Sequence, residues 1–300
     1  MKQSCSRTSL IAIIGAPNAG KSTLVNRMVG TKVSIVSHKV QTTRTLVKGI
    51  LQIGEVQLIF VDTPGLCNPR NRLERAMVHA AWTGTVEADT IVLLVDARLG
   101  LTERVVAIST ALQEKGRSAI LALNKIDMIM PSRLLDLSMT LNRMSNFTNT
   151  FMISAKTGSG ITDLIALFVQ QAPIGPQLFP YDVLSDMPMR LFAAEITREK
   201  IFIQLHQELP YSLTVRSDHW EEGRDSSLQI HQTILVQREH QRAIVLGKAG
   251  GRIKSIGWAA RHELEETFGR RVHLFLSVKL DDGWRDNSEY YREWSLKFEA

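Results

Sequence analysis

The sequence predicts a doubly wound α/β domain with a mostly parallel sheet, followed by a smaller α+β domain. Short β-branched runs alternate with helical patterns through residues 1–171, the order of a parallel sheet clothed by helices. Then Ala172–Pro180 packs three prolines and a glycine into nine residues, which makes a semi-rigid linker rather than an element. Beyond it the element order changes. A length of 300 residues also exceeds what one core usually organises. The expected division is 1–171, a linker at 172–190, and 191–300.

In the first part, Ile11 to Ile14 reads as a buried strand and Ser22 to Met28 as the helix after it. Val47 to Ile53 and Val56 to Val61 meet at Gly54-Glu55 as a hairpin, which puts one antiparallel strand at the sheet edge. Ile91 to Val95, Ala119 to Leu123 and Phe151 to Ile153 are further strands. Arg72 to Ala81, Glu103 to Gln113, Leu134 to Asn142 and Ile161 to Gln170 carry helical patterns. The second part reads as a helix near Leu191 to Gln207, strands near Tyr211 to Ser217 and Leu228 to Gln237, a glycine-rich turn, a helix at Ile253 to Thr267 and a strand at Val272 to Leu280.

Composition excludes several classes. A hydrophobic fraction of 44% with 22% charged residues suits a soluble globular chain. Two cysteines, Cys5 and Cys67, give no disulfide framework and fit a reducing cytoplasm. Residues 1–10 are polar and do not read as a secretory signal. No apolar run approaches the roughly 18 residues of a membrane helix. The net charge is +6, and it is uneven: up to Pro180 there are 19 Lys+Arg against 11 Asp+Glu, beyond it 17 against 19. Only Arg238 to Arg271, with eight Lys/Arg and four Glu, is basic in the second part. A site for an anionic polymer there should be compact.

Gly15-Ala16-Pro17-Asn18-Ala19-Gly20-Lys21-Ser22 fits GxxxxGK[ST] between a strand and a helix, the context of a phosphate-binding loop. Its glycines let backbone amides and the helix N-terminus face phosphate oxygens. Lys21 is expected on the β- and γ-phosphates and the Ser22 hydroxyl on magnesium. Asn124-Lys125-Ile126-Asp127 ends an apolar strand, where open parallel sheets bind ligands. A carboxylate at Asp127 can accept from guanine N1–H and N2–H₂, a donor pair adenine lacks. Ser154-Ala155-Lys156 follows the next strand and can close a base pocket. Asp62-Thr63-Pro64-Gly65 ends another strand, with Asp62 on the magnesium shell and the Gly65 amide sensing the γ-phosphate. In Gln41-Thr42-Thr43-Arg44 one threonine should reach magnesium; Thr43 is favoured slightly over Thr42. Lys21, Thr43, Asp62 and Gly65 are thus the expected catalytic group, with Ser22, Thr43 and Asp62 as metal ligands and GTP or GDP as the nucleotide.

Ala243-Ile-Val-Leu-Gly247-Lys248-Ala249-Gly250-Gly251-Arg252-Ile253-Lys254 holds GxxG between an apolar strand end and a helix. This is the arrangement of a KH domain, whose loop clamps about four unpaired nucleotides. The glycines permit close backbone approach, and Lys248, Arg252 and Lys254 offer charge to phosphates. Ile253 and Ile256 read as groove or core residues.

These motifs together resemble the Era family of bacterial ribosome-assembly GTPases over essentially the whole chain. The resemblance extends through Ala193–Lys200 and Glu208–Tyr211 to Gly283-Trp284. It implies a P-loop G domain followed by a type II KH domain, hydrolysis of GTP to GDP and phosphate, and binding to the 3′ end of 16S ribosomal RNA in assembly of the 30S subunit. No DNA partner is expected; the chain is expected to be a monomer in the cytoplasm, with peripheral contact at the inner membrane left open. Leu66 stands where many GTPases carry a water-orienting glutamine, so turnover should be slow. Asn18 matches the asparagine that ligates potassium in cation-dependent relatives. Ala249 replaces the lysine common before the second loop glycine, with Lys248 one position earlier.

Other features read blandly. The eight histidines lack metal-ligand spacing. Tyr290, Tyr291 and Trp294 are expected to pack a short C-terminal segment rather than stack bases. Arg70, Arg72 and Arg75 are expected on the solvated face of a helix. Two rivals have weaker support: an RNA chaperone that binds nucleotide with negligible hydrolysis, and a nucleotide kinase, in which NKID and DTPG would have no role.

Overall fold

The computed structural model describes residues 6–39, 42–205 and 212–299. Cys5, Gln41 and Glu208–Tyr211 lie outside the described residues, as do His206 and Gln207; the helix expected to reach Gln207 ends at Gln204, with Leu205 extended. The chain divides into two compact units. One comprises Met1–Ser34, Thr43–Asp186 and Trp294–Ala300; the other comprises Ile35–Thr42 and Met187–Glu293.

In the first unit the strands are β1 (Arg7–Ile14), β2 (Val47–Ile53), β3 (Val56–Asp62), β4 (Thr90–Asp96), β5 (Ala119–Asn124) and β6 (Phe147–Met152). They form one sheet in the order β2-β3-β1-β4-β5-β6. Only β2 runs antiparallel, paired with β3 from Val47 opposite Asp62 to Ile53 opposite Val56. The fold is thus doubly wound and mostly parallel, with the hairpin strand at the edge. The central strands are apolar on both faces because helices cover both. Leu24, Val25 and Met28 of α1 (Lys21–Val29) join Leu164 and Phe168 of α5 (Ile161–Gln171) in one core layer. The opposite layer holds Ala81 of α2 (Arg72–Glu87), Ile108 and Leu112 of α3 (Glu103–Glu114), and Leu134 and Leu141 of α4 (Pro131–Met144).

Helix α2 runs six residues beyond the expected Ala81, because Thr85 remains buried and Gly84 packs near Leu46 and Val61. Packing here outweighs the poor helix propensity of glycine. Strand β6 starts at Phe147 instead of Phe151; its half-exposed Thr-Asn-Thr stretch hides an edge strand from an apolar pattern. The proline-rich segment stays with this unit. Thr8 Oγ1 donates to the Pro176 carbonyl at 2.8 Å, and the Gln57 amide group bonds Leu178 and Phe179. At the C-terminal end Thr45 Oγ1 donates to the Trp294 carbonyl at 2.5 Å, and the Arg72 guanidinium lies 4.5 Å above the Phe298 ring. Arg70 and Arg75 are exposed, but Arg72 is only half-exposed for that reason.

In the second unit α6 (Met189–Gln204) precedes a sheet in the order β7-β8-β9, formed by Leu213–Glu222, Leu228–Val236 and Val272–Leu280. Strand β7 is antiparallel to β8, and β8 is parallel to β9. Between β8 and β9 lie α7 (Glu239–Leu246) and α8 (Gly251–Phe268). The apolar run before the GxxG loop is therefore a helix, and the expectation of a strand end there is corrected. A short apolar run cannot distinguish the two; here Gln241 Oε1 accepts from the amides of Gln237 and Arg238, capping the helix start, and Val245 one turn on is fully buried. Ile256, Ala260 and Leu264 of α8 face the core. Tyr290 and Tyr291, in the helix Ser288–Glu293, are buried, as is Trp294.

Ile35, Val36 and Thr42 pack into this second unit. Ile35 joins Phe192 and Ile196 in its core, and the Val36 amide donates to Glu199 Oε1 at 2.7 Å. Arg198, fully buried and paired with Glu195, donates to the Thr42 carbonyl.

Candidate nucleotide and RNA sites

Helix α1 begins directly after Gly20, so its free amides point from the loop Gly15–Gly20. Gly20 sits at φ 101°, and a Cβ there would stand 2.4 Å from Asn124 Nδ2. Only glycine allows the loop to press so closely on the end of β5. Lys21 is buried and donates to the carbonyls of Gly15 and Ala16 at 3.1 Å. Burial, opposed by the charges of Asp62 and Cys67, lowers its ammonium to about 8.

Three oxygen-bearing side chains converge beside it. Ser22 Oγ and Thr43 Oγ1 are 2.8 Å apart, and Thr43 Oγ1 lies 3.4 Å from Asp62 Oδ2. Asp62 is fully buried at the end of β3, which pushes its carboxyl up despite opposing effects of Ser22 and Lys21. Its Oδ1 has no hydrogen-bond partner among the described residues. A buried carboxylate oxygen left over beside two hydroxyls fits a hard, oxygen-seeking cation. The neighbouring Thr42 hydroxyl is instead taken up by Ser37 Oγ and the Lys39 carbonyl. Past Asp62, Thr63 Oγ1 donates to the Ile13 carbonyl at 2.7 Å, and the Leu66 amide donates to the Gly15 carbonyl at 3.1 Å. Pro64 and Gly65 are buried between them, and Leu66 is buried in the apolar layer with Ile14 and Leu93. A leucine so placed has no polar group with which to orient water.

The base-recognition motifs meet at the ends of β5 and β6. Asn124 Nδ2 donates to the Ala19 carbonyl at 2.8 Å, and its Oδ1 accepts from the Ala155 amide at 2.9 Å. One side chain thus ties the phosphate loop to the Ser154–Lys156 turn. Ser154 Oγ donates to Asp127 Oδ1 at 2.6 Å, which restrains that carboxylate at the rim of the pocket. Lys125, at φ 68°, donates to the Asn18 carbonyl at 2.7 Å. Ile126 packs on the apolar layer behind.

Sequence reading missed two supports of this pocket. Asp96, at the end of β4, accepts from Lys125 Nζ at 2.7 Å and from Arg98 Nη2 at 2.8 Å. Burial works to raise its carboxyl, but the bonds from Arg98 and Lys125 outweigh burial and hold it below the ordinary value. The signal was present, since Asp96 ends an apolar strand just as Asp62 and Asn124 do. Arg27 in α1 donates to the carbonyls of Ala155 and Lys156; nothing in its local sequence marks it.

In the second unit, Gly247–Gly250 joins α7 to α8. Gly247 has φ 69°, and a Cβ there would stand 2.7 Å from Arg252 Cβ. Lys248 and Ala249 are exposed, with Ala249 at φ 52°. Arg252 Nη1 donates to the Ile244 carbonyl at 3.0 Å, and Lys254 is exposed one turn into α8, which Gly251 starts. Ile253 is half-buried and Ile256 buried, so both belong to the core side.

Two family models match: "50S ribosome-binding GTPase" over residues 10–125 and "KH domain" over 208–285. GTPase Era of Brucella suis is 50% identical over 292 residues, covering 97% of this chain and 94% of that protein. The chain belongs to the Era GTPase family. Era of Bradyrhizobium diazoefficiens is 51% identical, with 97% and 95% of the two chains covered. A crystal structure of Era with MgGDPNP and nucleotides 1506–1542 of 16S ribosomal RNA superposes with a TM-score of 0.91 at 38% identity, covering 96% of this chain and 98% of that one. A crystal structure of an Aquifex aeolicus Era variant bound to GDP and AlF4⁻ gives the same values. The Era fold, a GTPase domain followed by a KH domain, is that of this chain.

Proposed function

We propose that this chain binds GTP with magnesium in its first unit, hydrolyses it to GDP and phosphate, and binds the 3′ end of 16S ribosomal RNA through the Gly247–Gly250 loop in assembly of the 30S subunit. One observation carries the nucleotide reading: Asn124 bonds both the phosphate loop and the Ala155 amide, so base and phosphate contacts form one rigid frame. Within it Asp127 pairs with the guanine edge. Gly15 to Ser22 cradle the phosphates, and Lys21 leaves its loop carbonyls for the β- and γ-phosphates. Ser22, Thr43 and Asp62 hold magnesium, with Thr43 preferred because the Thr42 hydroxyl is already bonded elsewhere. The ion supplies neutralisation of charge on the phosphate oxygens. Thr63 and Pro64 set the backbone so that the Gly65 amide can meet the γ-phosphate. Leu66 leaves the attacking water without a side-chain partner, so basal turnover is slow. Asn18 is proposed to hold a potassium ion beside the phosphates.

The relatives' established GTPase character disfavours nucleotide binding without turnover. Among the described residues no helix is long and apolar enough to cross a membrane. We place the protein's work in the cytoplasm, as a monomer, with peripheral contact at the inner membrane compatible with this. Single-turnover hydrolysis of γ-labelled GTP tests the reading. Release of labelled phosphate that disappears in Ser22→Ala is expected; GTP that stays bound and intact for hours in magnesium would leave only the binding protein.

A further inference from the structure

Helix α8 carries an unused aromatic side chain beside the GxxG loop. Ile256, Ala260 and Leu264 turn to the core, and the opposite face presents Gly251, Lys254, Ser255, Trp258 and His262 to solvent. Positions three and four apart share a helix face, so Gly251, Lys254, Trp258 and His262 form a stripe running away from the loop. Trp258 is 62% exposed. Its indole meets the His262 ring edge to face, with centroids 4.4 Å apart and planes at 70°. That contact restrains the indole and leaves a broad ring face open.

A single exposed apolar side chain is ordinary; the surroundings of this one are not. Lys248, Arg252, Lys254 and Arg261 lie within the same stretch, and its first two acids already have partners. Glu263 pairs with Lys200, and Glu265 accepts from the Val272 amide and lies 3.9 Å from His262. Towards the loop the stripe is basic, with Lys254 exposed one turn before Trp258 and Lys248 exposed in the loop itself, whereas acids come only beyond His262, at Glu265 and Glu266. An aromatic face with cations on its loop side is the combination that holds a nucleobase by stacking while cations meet the flanking phosphates. Carboxylate-bearing or purely apolar partners would match only half of it.

We infer that Trp258 is a base-stacking residue that extends the RNA site along α8 beyond the GxxG clamp. The inference rests on the RNA reading above. Trp258 lies seven residues past Gly251, about 10 Å along the helix axis at 1.5 Å per residue. That distance corresponds to about three stacked nucleotides at 3.4 Å each. The loop takes about four nucleotides, so a tetranucleotide does not reach the indole, whereas one of about ten nucleotides does.

The test measures the affinity of the full chain for nested pieces of the 16S 3′ end, about four and about ten nucleotides long, the shorter by competition. Trp258→Ala should weaken the longer RNA about 10-fold, within the range of one lost base stack. It should leave the shorter one unchanged. Trp258→Phe should retain most of the affinity, and the salt dependence should not alter, because no charge is removed. Unchanged affinity for the longer RNA in Trp258→Ala overturns the inference; so does equal loss for both lengths, which would signal a distorted helix. Lys248→Asp with Ala249→Asp separates the two levels. If that variant binds the longer RNA like the native chain, the RNA reading itself fails and the stacking site falls with it.

Discussion

Asp96 Oδ2 lies 2.7 Å from Lys125 Nζ, and the same ammonium donates to the Asn18 carbonyl at 2.7 Å. A carboxylate outside every recognised motif thus fixes the lysine that ties the base pocket to the phosphate loop. Arg98, bonded to the same carboxylate through both of its oxygens, keeps it ionised.

Asp96→Asn should therefore loosen nucleotide binding without removing chemistry. Lys125 and Arg98 are partly exposed, so solvent screens the loss to about 1–2 kcal/mol, or about 10-fold in GDP affinity. Stopped-flow release of a fluorescent GDP analogue should quicken by that factor, with turnover at saturating GTP nearly unchanged. The Asp96 carboxyl is lowered in the fold. Its contribution is thus fully present above the unfolded carboxylate range and is lost as pH falls through the folded value. The stability gap between native and variant chains should stay flat from pH 7 to about 5 and close only in stronger acid.

Asp127→Asn should shift preference from GTP towards xanthosine triphosphate, since an amide can donate to the xanthine C2 carbonyl. The buried mismatch should cost guanine about 100-fold or more in affinity. Ser154 Oγ can still bond the amide oxygen, so the rotamer should survive. Unaltered GTP affinity by calorimetry would remove Asp127 from the base pocket.

Replacing sodium by potassium should speed hydrolysis. With Leu66 buried and apolar, charge developing on the phosphates must be met by fixed groups and cations. Asn18→Ala should abolish the difference between the two salts. Equal rates in both salts for the native chain would exclude a cation at Asn18.

Much of this was legible in the sequence, and the exceptions have physical causes. The nucleotide motifs were visible because each is short, contiguous and placed at a strand end where backbone geometry restricts residue choice. The hairpin β2-β3 was visible because Gly54-Glu55 interrupts two apolar runs. Helix α7 was not, since four apolar residues before a glycine satisfy either periodicity and the capping by Gln241 emerges only in three dimensions. Arg27 and Asp96 act on partners 128 and 29 positions away, and separation of that kind leaves no local pattern. The packing of Val36 and Thr42 with α6 depends on Glu199 and Arg198, 163 and 156 positions beyond their partners, and was equally hidden.

GTP hydrolysis and RNA binding are divided between Lys21 and Asp62 in one unit and the Gly247–Gly250 loop in the other, and one paired measurement separates them. Lys248→Asp with Ala249→Asp places two carboxylates in the exposed part of the GxxG loop. Like-charge juxtaposition with phosphates costs several kcal/mol, enough to remove an affinity built on about four nucleotides. Binding of the 16S 3′ end and basal GTP hydrolysis are measured on the same preparation of a cooperatively melting variant. The expected result is RNA affinity reduced at least about 100-fold with hydrolysis within about twofold of native, since the loop shares no element with Lys21 or Asp62. Full RNA affinity, or loss of hydrolysis in the folded variant, would show that the two activities are not divided in this way.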